Sequence, residues 1–268
     1  YTIELKELFT VYRGVETRDN AKYLSESEET EEHQPILNAS DVSGYLVNWS
    51  GEYVYFVPDE LKSNADIEMY DVEEKVLLRR TGDRLIAGVD KDQMLALKNL
   101  YLLLPKTEHS ADYLCASLNS TLLGWERQRI TRDEGETFAQ LKGTQVARLP
   151  IREIEFTTDE AEREDHVEAL IEDYEAARDR GISPADKGDG TSAVPTVLDA
   201  VEEHLEAGRT DPESESRTGV IHDLLAHLAR TMTRRKEERH TYNLDVTDYI
   251  AAPSGSDAGV PLREIGRY

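Results

Sequence analysis

EKVLLRRTGDRLIAGVD (residues 74–90), NLYLLL (99–104), YLCASLNSTLLGW (113–125) and GETFAQLKGTQVARLPI (135–151) follow one another within a window, Lys75 to Arg152, that sets the character of the whole chain. KVLLRR and RLIAGV are short apolar runs on either side of Thr81-Gly82-Asp83, so they read as two strands of a hairpin closed by a tight turn. NLYLLL reads as a buried strand. Ser110 is placed to cap a helix whose Leu114, Leu118 and Leu122 recur every four residues. Short strands, hairpins and a helix in one window predict an α+β fold.

Charge sets the same window apart. It holds 13 Lys+Arg against 9 Asp+Glu, a balance of +4, whereas the rest of the chain holds 18 against 46, a balance of −28. In an acidic protein a positive island is the natural candidate for a surface that faces a polyanion. The chain as a whole carries −24, with 10 Lys against 21 Arg. Acidity spread along most of the sequence reads as the surface of a halophile's cytoplasmic protein, the alternative being a partner-binding acidic face.

A length of 268 residues suits one or two domains with real cores. The sequence starts at Tyr1 inside a hydrophobic segment, which reads as a piece of a longer polypeptide. No apolar run nears the roughly 18 residues a membrane span needs. Cys115 is the only cysteine, so neither an internal disulfide nor a thiolate metal cluster is available. The seven histidines show no metal-ligand spacing and read as surface or capping residues.

Before the window, VYRGVETRDNAKYL places a turn signal at Arg13-Gly14 and then Thr17, Arg18 and Asn20, side-chain types that read base edges or bind phosphate. A plain turn into a strand is the competing reading. Ser25 to Gln34 is an acidic, solvated loop. YLVNW and EYVYFV, separated by Ser50-Gly51, predict a second hairpin whose Trp49, Tyr53 and Tyr55 are either sheet packing or a stacking platform. Within the window Arg79, Arg80 and Arg84 lie inside six residues. Arginine suits bidentate guanine and phosphate contacts, and strand alternation sends Arg79 and Arg80 to opposite faces. Thr81 lies in the turn between them, and Arg127, Arg129, Arg132, Lys142 and Arg148 follow.

One succession of short motifs carries a resemblance. Arg13-Gly14-Val15-Glu16-Thr17, Asp41-Val42-Ser43-Gly44-Tyr45, Lys75-Val76-Leu77-Leu78-Arg79-Arg80-Thr81, Asn119-Ser120, Gly135 to Phe138, and Leu149-Pro150-Ile151 occur in this order over about residues 10 to 155. The order and spacing resemble the TaqI-like target-recognition domain, the C-terminal part of many N6-adenine DNA methyltransferases and of restriction enzymes fused to them. The family often has Gly after the Thr17 equivalent, where this chain has Arg18.

The resemblance implies a mixed α/β module that docks on double-stranded DNA and selects a short sequence. An N-terminal methyltransferase domain of the same polypeptide would then flip out an adenine and methylate it from S-adenosylmethionine. The N-P-P-Y-type motif and Gly-rich cofactor loop of that catalytic domain do not occur in this sequence, so no cofactor is expected in this segment. Base contacts are expected from Arg13, Thr17, Arg18, Asn20, Arg79, Arg80, Thr81 and Arg84. Phosphate contacts are expected from Arg127, Arg129, Lys142 and Arg148.

The remaining sequence reads as helical. Thr157-Thr158-Asp159-Glu160 reads as a capping box opening a helix with the stripe Val167, Leu170, Ile171 and Tyr174 and ending at Gly181. Val197, Leu198, Val201 and Leu205 mark a second helix, and Ile221, Leu224, Leu225, Leu228 and Met232 a third that ends in RTMTRRKEERH. GISPADKGDGTSAVP and GRTDPESESRTG read as loops and APSGSDAGVPLREIGRY as a flexible tail. The expected division is a recognition domain over 1–155, a helical subdomain over 156–250 and a tail over 251–268.

Two other functions fit parts of the sequence. Asp59, Glu73 and Lys75 match the loose nuclease pattern in which two acids hold Mg²⁺ and a lysine stabilises the transition state. A non-catalytic acidic scaffold that docks subunits of a phage-defence complex is the other.

Overall fold

The structure is a computed structural model and describes residues 2–133, 140–181, 197–207 and 216–251, with the backbone alone described at 131–133 and 243–251. The Gly135–Phe138 motif, the Arg132 side chain, residues 182–195 and 208–215 of the two long loops and all but the first residue of the tail lie outside the described residues.

The chain begins with β1 (Thr2–Glu4), α1 (Leu5–Leu8), β2 (Phe9–Arg13), α2 (Asn20–Tyr23), β3 (Leu24–Ser25) and β4 (His33–Leu37). It continues through β5 (Val42–Ser43), β6 (Leu46–Val47), β7 (Tyr53–Tyr55), β8 (Lys75–Arg79), β9 (Ala87–Asp90), β10 (Leu95–Ala96) and β11 (Leu100–Pro105). Then come α3 (Ala111–Leu118), α4 (Thr121–Asp133), α5 (Gly143–Ala147), β12 (Pro150–Arg152), α6 (Glu160–Asp179), α7 (Val197–Glu206) and α8 (Thr218–Ala251). The fold is α+β with a helical C-terminal region.

Sheet order explains why the window is so apolar. One sheet runs β2-β11-β8-β9 and is antiparallel throughout. Alternation along its strands feeds two cores at once. Val76, Leu78, Tyr101 and Leu103 join one core with α3 and α5 residues such as Leu114, Leu118 and Val146. Leu77, Leu100 and Leu102 join a second with Ile36, Leu37 and Val54 of the sheet β10-β4-β7-β3. The central strands are therefore covered on both faces, the condition that produces near-continuous hydrophobic runs. A third cluster, Val167, Leu170, Val220 and Leu224, joins α6 to α8, while Ala226 and Leu225 of α8 reach the first core.

The two expected hairpins differ from their sequence reading. KVLLRR and RLIAGV do pair, but the connection is the whole of Arg80 to Ile86, because Leu85 is buried as a plug and Arg80 N–H turns to Asn99 O at 3.1 Å. The second hairpin forms elsewhere. β6 pairs with β5, and β7 with β3 and β4, so Ser50-Gly51 does not close a hairpin. Gly44 and Tyr45 both have positive φ, 45° and 68°, which is what a two-residue hairpin loop requires.

The Leu114–Leu118 helix stops before Leu122. Asn119 turns its amide onto strand β9, accepting from Ala87 N–H at 3.1 Å and donating to Ala87 O at 3.0 Å. Leu122 then falls on α4 and is 73% exposed. Asp159, rather than Thr157, caps α6 by accepting from Glu162 N–H at 3.0 Å, while both threonine hydroxyls donate to Ser216 O.

The histidine expectation is also corrected. His33, His109, His204 and His222 are buried, because each finds its partner from a distant segment or within a ring cluster that sequence spacing does not show. His222 Nε2 accepts from Ser110 N–H at 3.0 Å, so Nδ1 carries the proton and donates to Asp223 at 2.7 Å. Its ring packs on His109, Tyr113 and Phe156. Burial, with His222 beside it, pulls the His109 imidazole down to about 4.

Candidate nucleic-acid interface

The RGVET segment is built first by packing. A Cβ on Gly14 would lie 2.3 Å from the carbonyl oxygens of Ala96 and Leu97, so only glycine fits. Val15 is fully buried in the second core. Thr17 is buried and its hydroxyl donates to Asn20 Oδ1. Arg18 remains exposed, with Nη2 donating to Asp59 O at 3.5 Å.

Around this segment the structure gathers cations that are far apart in sequence. Arg13 Nε and Arg80 Nη1 both donate to Lys98 O, at 3.3 and 2.6 Å. Arg80 is held further by Gln140 Oε1 at 3.2 Å and lies 5.4 Å from the Tyr101 ring centre. Lys62 and Lys98 donate to Glu16 Oε1 at 3.0 and 3.1 Å, and Arg13 approaches its other oxygen at 3.5 Å. Hydrogen bonds from Lys62 and then Lys98 hold the Glu16 carboxyl down at about 2.

Beside this cluster a groove of about 690 Å³ opens between the edge strand β2 and α5. Lys6, Arg13, Arg80, Lys106 and Lys142 line it, with Tyr12 and Tyr101, and among the described residues its lining contains no Asp or Glu. Tyr12 is 38% exposed. The short α5 starts where Lys142 N–H donates to Gln145 Oε1, and it packs on β2 and α1.

The sequence-predicted residues therefore separate into groups. Arg13, Arg80 and Lys142 come together in the groove. Arg18, Asn20, Thr81, Arg84 and Arg148 are exposed, Thr81 and Arg84 on the 80–86 loop. Arg79 is half-buried. Arg129 lies on the outer side of α4, paired with Glu126. Arg127, expected as a phosphate contact, is a buried residue, 7% exposed, whose Nη2 donates to Gly82 O at 2.8 Å, where it braces the 80–86 loop. Thr17, equally, is enclosed with its hydroxyl engaged. Sequence reasoning did not find Lys6, Lys62, Lys98 and Lys106. Lys98 and Lys106 lie in the positive window, but Lys6 and Lys62 lie outside it among acids, and Lys106 meets Lys6 from a hundred positions away.

The nuclease pattern does not converge. Lys75 is completely buried, paired with Asp90 at 2.6 Å and donating to Tyr70 O at 3.0 Å, whereas Asp59 and Glu73 are exposed. Among the described residues no group of three or more His, Cys, Asp or Glu side chains is placed to hold a metal ion. Among the described residues no helix is long and apolar enough to cross a membrane.

No curated protein matches in sequence at a significant level. Among solved structures, the S subunit of a type I restriction-modification system from M. genitalium aligns with TM-score 0.31 and 14% identity, over 67% of this chain and 42% of that one. The type IIL restriction-modification enzyme MmeI, in complex with DNA, aligns with TM-score 0.37 and 12% identity, over 85% of this chain and 36% of that one. This chain thus spans less than half the length of either. Residues 34–151 match the family model of the TaqI-like C-terminal specificity domain.

Proposed function

We propose that this chain is a DNA target-recognition module of a restriction-modification enzyme, and that the enzyme it serves is a site-specific N6-adenine DNA methyltransferase. The observation that carries the reading is the groove. In a chain of net charge −24, a concavity whose described lining holds five cations and no carboxylate fits a polyanion. The TaqI-like match over residues 34–151 supports sequence selection as its purpose.

In this reading the groove, Lys142 included, and the neighbouring Lys62 and Lys98 face the phosphate backbone, with Arg129 and Arg148 as further phosphate contacts. The exposed side chains of Arg18, Asn20, Thr81 and Arg84 reach base edges. S-adenosylmethionine belongs to a separate methyltransferase domain of the same polypeptide. The acidic remainder of the surface is an adaptation to high salt, which a melting temperature that rises between 0.1 and 2 M KCl would support.

The finer part of the proposal is tested by expressing the parent polypeptide in a methylation-free host and mapping N6-methyladenine. One modified motif, moved to a new sequence when residues 1–155 are exchanged for those of a relative, is the expected result. Modification at cytosine alone, or none at all, contradicts the adenine assignment.

A further inference from the structure

The two arginines of the groove are arranged for a task other than reading bases. Arg13 and Arg80 reach the same carbonyl, Lys98 O, from 85 and 18 positions away in the sequence. Two like-charged guanidinium groups are thereby held at one point, and among the described residues the one carboxylate paired with either is Glu16, 3.5 Å from Arg13 Nη2. Arg80 is fixed in addition by Gln140 and the Tyr101 ring. A guanidinium presents five N–H donors in a rigid fork, so these bonds leave donors on both groups for a ligand.

The strand beside them adds more. Gly14 N–H donates to Leu100 O and Lys106 N–H to Leu8 O, which fixes the parity of the β2–β11 ladder. The backbone groups of Val11 and Arg13 therefore face away from β11, along the open edge that lines the groove. Lys142 stands across the groove at the start of α5.

We infer that this groove is a seat for a backbone phosphate of the bound duplex, gripped by Arg13, Arg80 and Lys142, and that Arg13 and Arg80 fix affinity and register rather than base preference. The inference rests on the proposed DNA reading and assigns the ligand chemistry of that surface. Phosphate contacts position a protein on DNA and base contacts specify the sequence. Guanidinium groups locked at a shared carbonyl, in a groove rather than on a projecting loop, suit the first role. Thr81 and Arg84, exposed on the neighbouring loop, suit the second.

The test measures binding of the chain, and of its Arg13→Gln, Arg80→Gln, Lys142→Gln and Arg84→Gln variants, to a library of duplexes at several salt concentrations. Each groove variant is expected to weaken every duplex by a similar factor, on the order of tenfold at 0.1 M salt, with the ranking of sequences unchanged and the log–log salt slope reduced by about one. Arg84→Gln is expected to alter preference at one base position. A changed preference for Arg13→Gln or Arg80→Gln overturns the seat, as does an unchanged affinity and slope in all three groove variants. Arg80→Gln also removes a brace between loops, so melting temperatures are read alongside. If Arg80→Gln alone loses binding together with stability, while Arg13→Gln and Lys142→Gln bind as wild type, the seat is overturned too. A wild-type chain that binds no duplex at low salt brings down the DNA reading itself, an outcome distinct from the others.

Discussion

Lys75→Met tests how the central sheet is held together. The Lys75 ammonium and the Asp90 carboxylate are 0% and 1% exposed, 2.6 Å apart, on paired positions of β8 and β9. At an effective dielectric constant of about 20 a pair at this separation attracts by roughly 6 kcal/mol, most of which offsets the desolvation of the two ions. Methionine fills much of the lysine volume but leaves Asp90 charged and buried. Asp90 keeps two backbone donors, Asp92 N–H at 3.2 Å and Met94 N–H at 3.1 Å, which soften the loss. The expected cost is about 3–5 kcal/mol, with Asp90→Asn somewhat cheaper because an amide can still bond to Lys75 or the loop. The double variant is expected to cost less than the sum, with a coupling of roughly 2 kcal/mol or more. Urea unfolding followed by circular dichroism gives all four stabilities. A cost under about 1 kcal/mol for Lys75→Met, or strict additivity, would refute the description of this pair as a buried, mutually dependent one.

Other outcomes follow from the same contacts. Because the His109 pKa in the fold is about 4, below the ordinary 6.5, the unfolded chain binds the proton more tightly, so stability is complete above pH 6.5 and is lost as pH falls toward 4. Roughly 3 kcal/mol is at stake at most, and His109→Gln should flatten that part of the pH–stability curve; an unchanged slope would show that another group sets it. Asn119→Ala removes both side-chain bonds to Ala87 and should cost about 1–3 kcal/mol in chemical denaturation, whereas a neutral result would mean the β9 edge is satisfied otherwise. Gly14→Ala places a Cβ 2.3 Å from two backbone oxygens and should cost more than about 2 kcal/mol, where a surface glycine such as Gly51, with open space around it, would tolerate the same added atom apart from its φ of 93°.

Much of the fold was legible because burial on both faces leaves an unmistakable composition. VLL in β8 and LYLLL in β11 are apolar at successive positions, since each neighbour enters a different core. The motif run was legible too, but as architecture. Gly14 permits a close backbone approach, Asn119 satisfies a strand edge, and the Gly44-Tyr45 turn offers carbonyls to α8, where Lys236 Nζ donates to Gly44 O at 2.7 Å and Ser43 O at 3.2 Å. Residues such as Thr17 and Arg127, chosen as DNA contacts by type, proved to be occupied inside the fold, because side-chain chemistry alone does not report burial.

The groove was half-legible. Arg13, Arg80 and Lys142 were found by type and by the charge window, but Lys6 and Lys106 meet them only through the β2–β11 pairing. Proximity of this kind depends on register between strands some ninety residues apart. The second hairpin was misplaced for a related reason: Ser50-Gly51 is a good turn sequence, yet Tyr53–Tyr55 has better partners in β3 and β4.

The central claim is that this chain recognises a DNA sequence. It is tested most directly by incubating the chain with a pool of randomised duplexes, recovering the bound fraction at rising salt and sequencing it. The account predicts enrichment of one short motif, with binding that weakens steeply as salt increases. Binding without a common motif would reduce the module to a nonspecific cation surface, and no recovery of DNA at any salt would contradict the account.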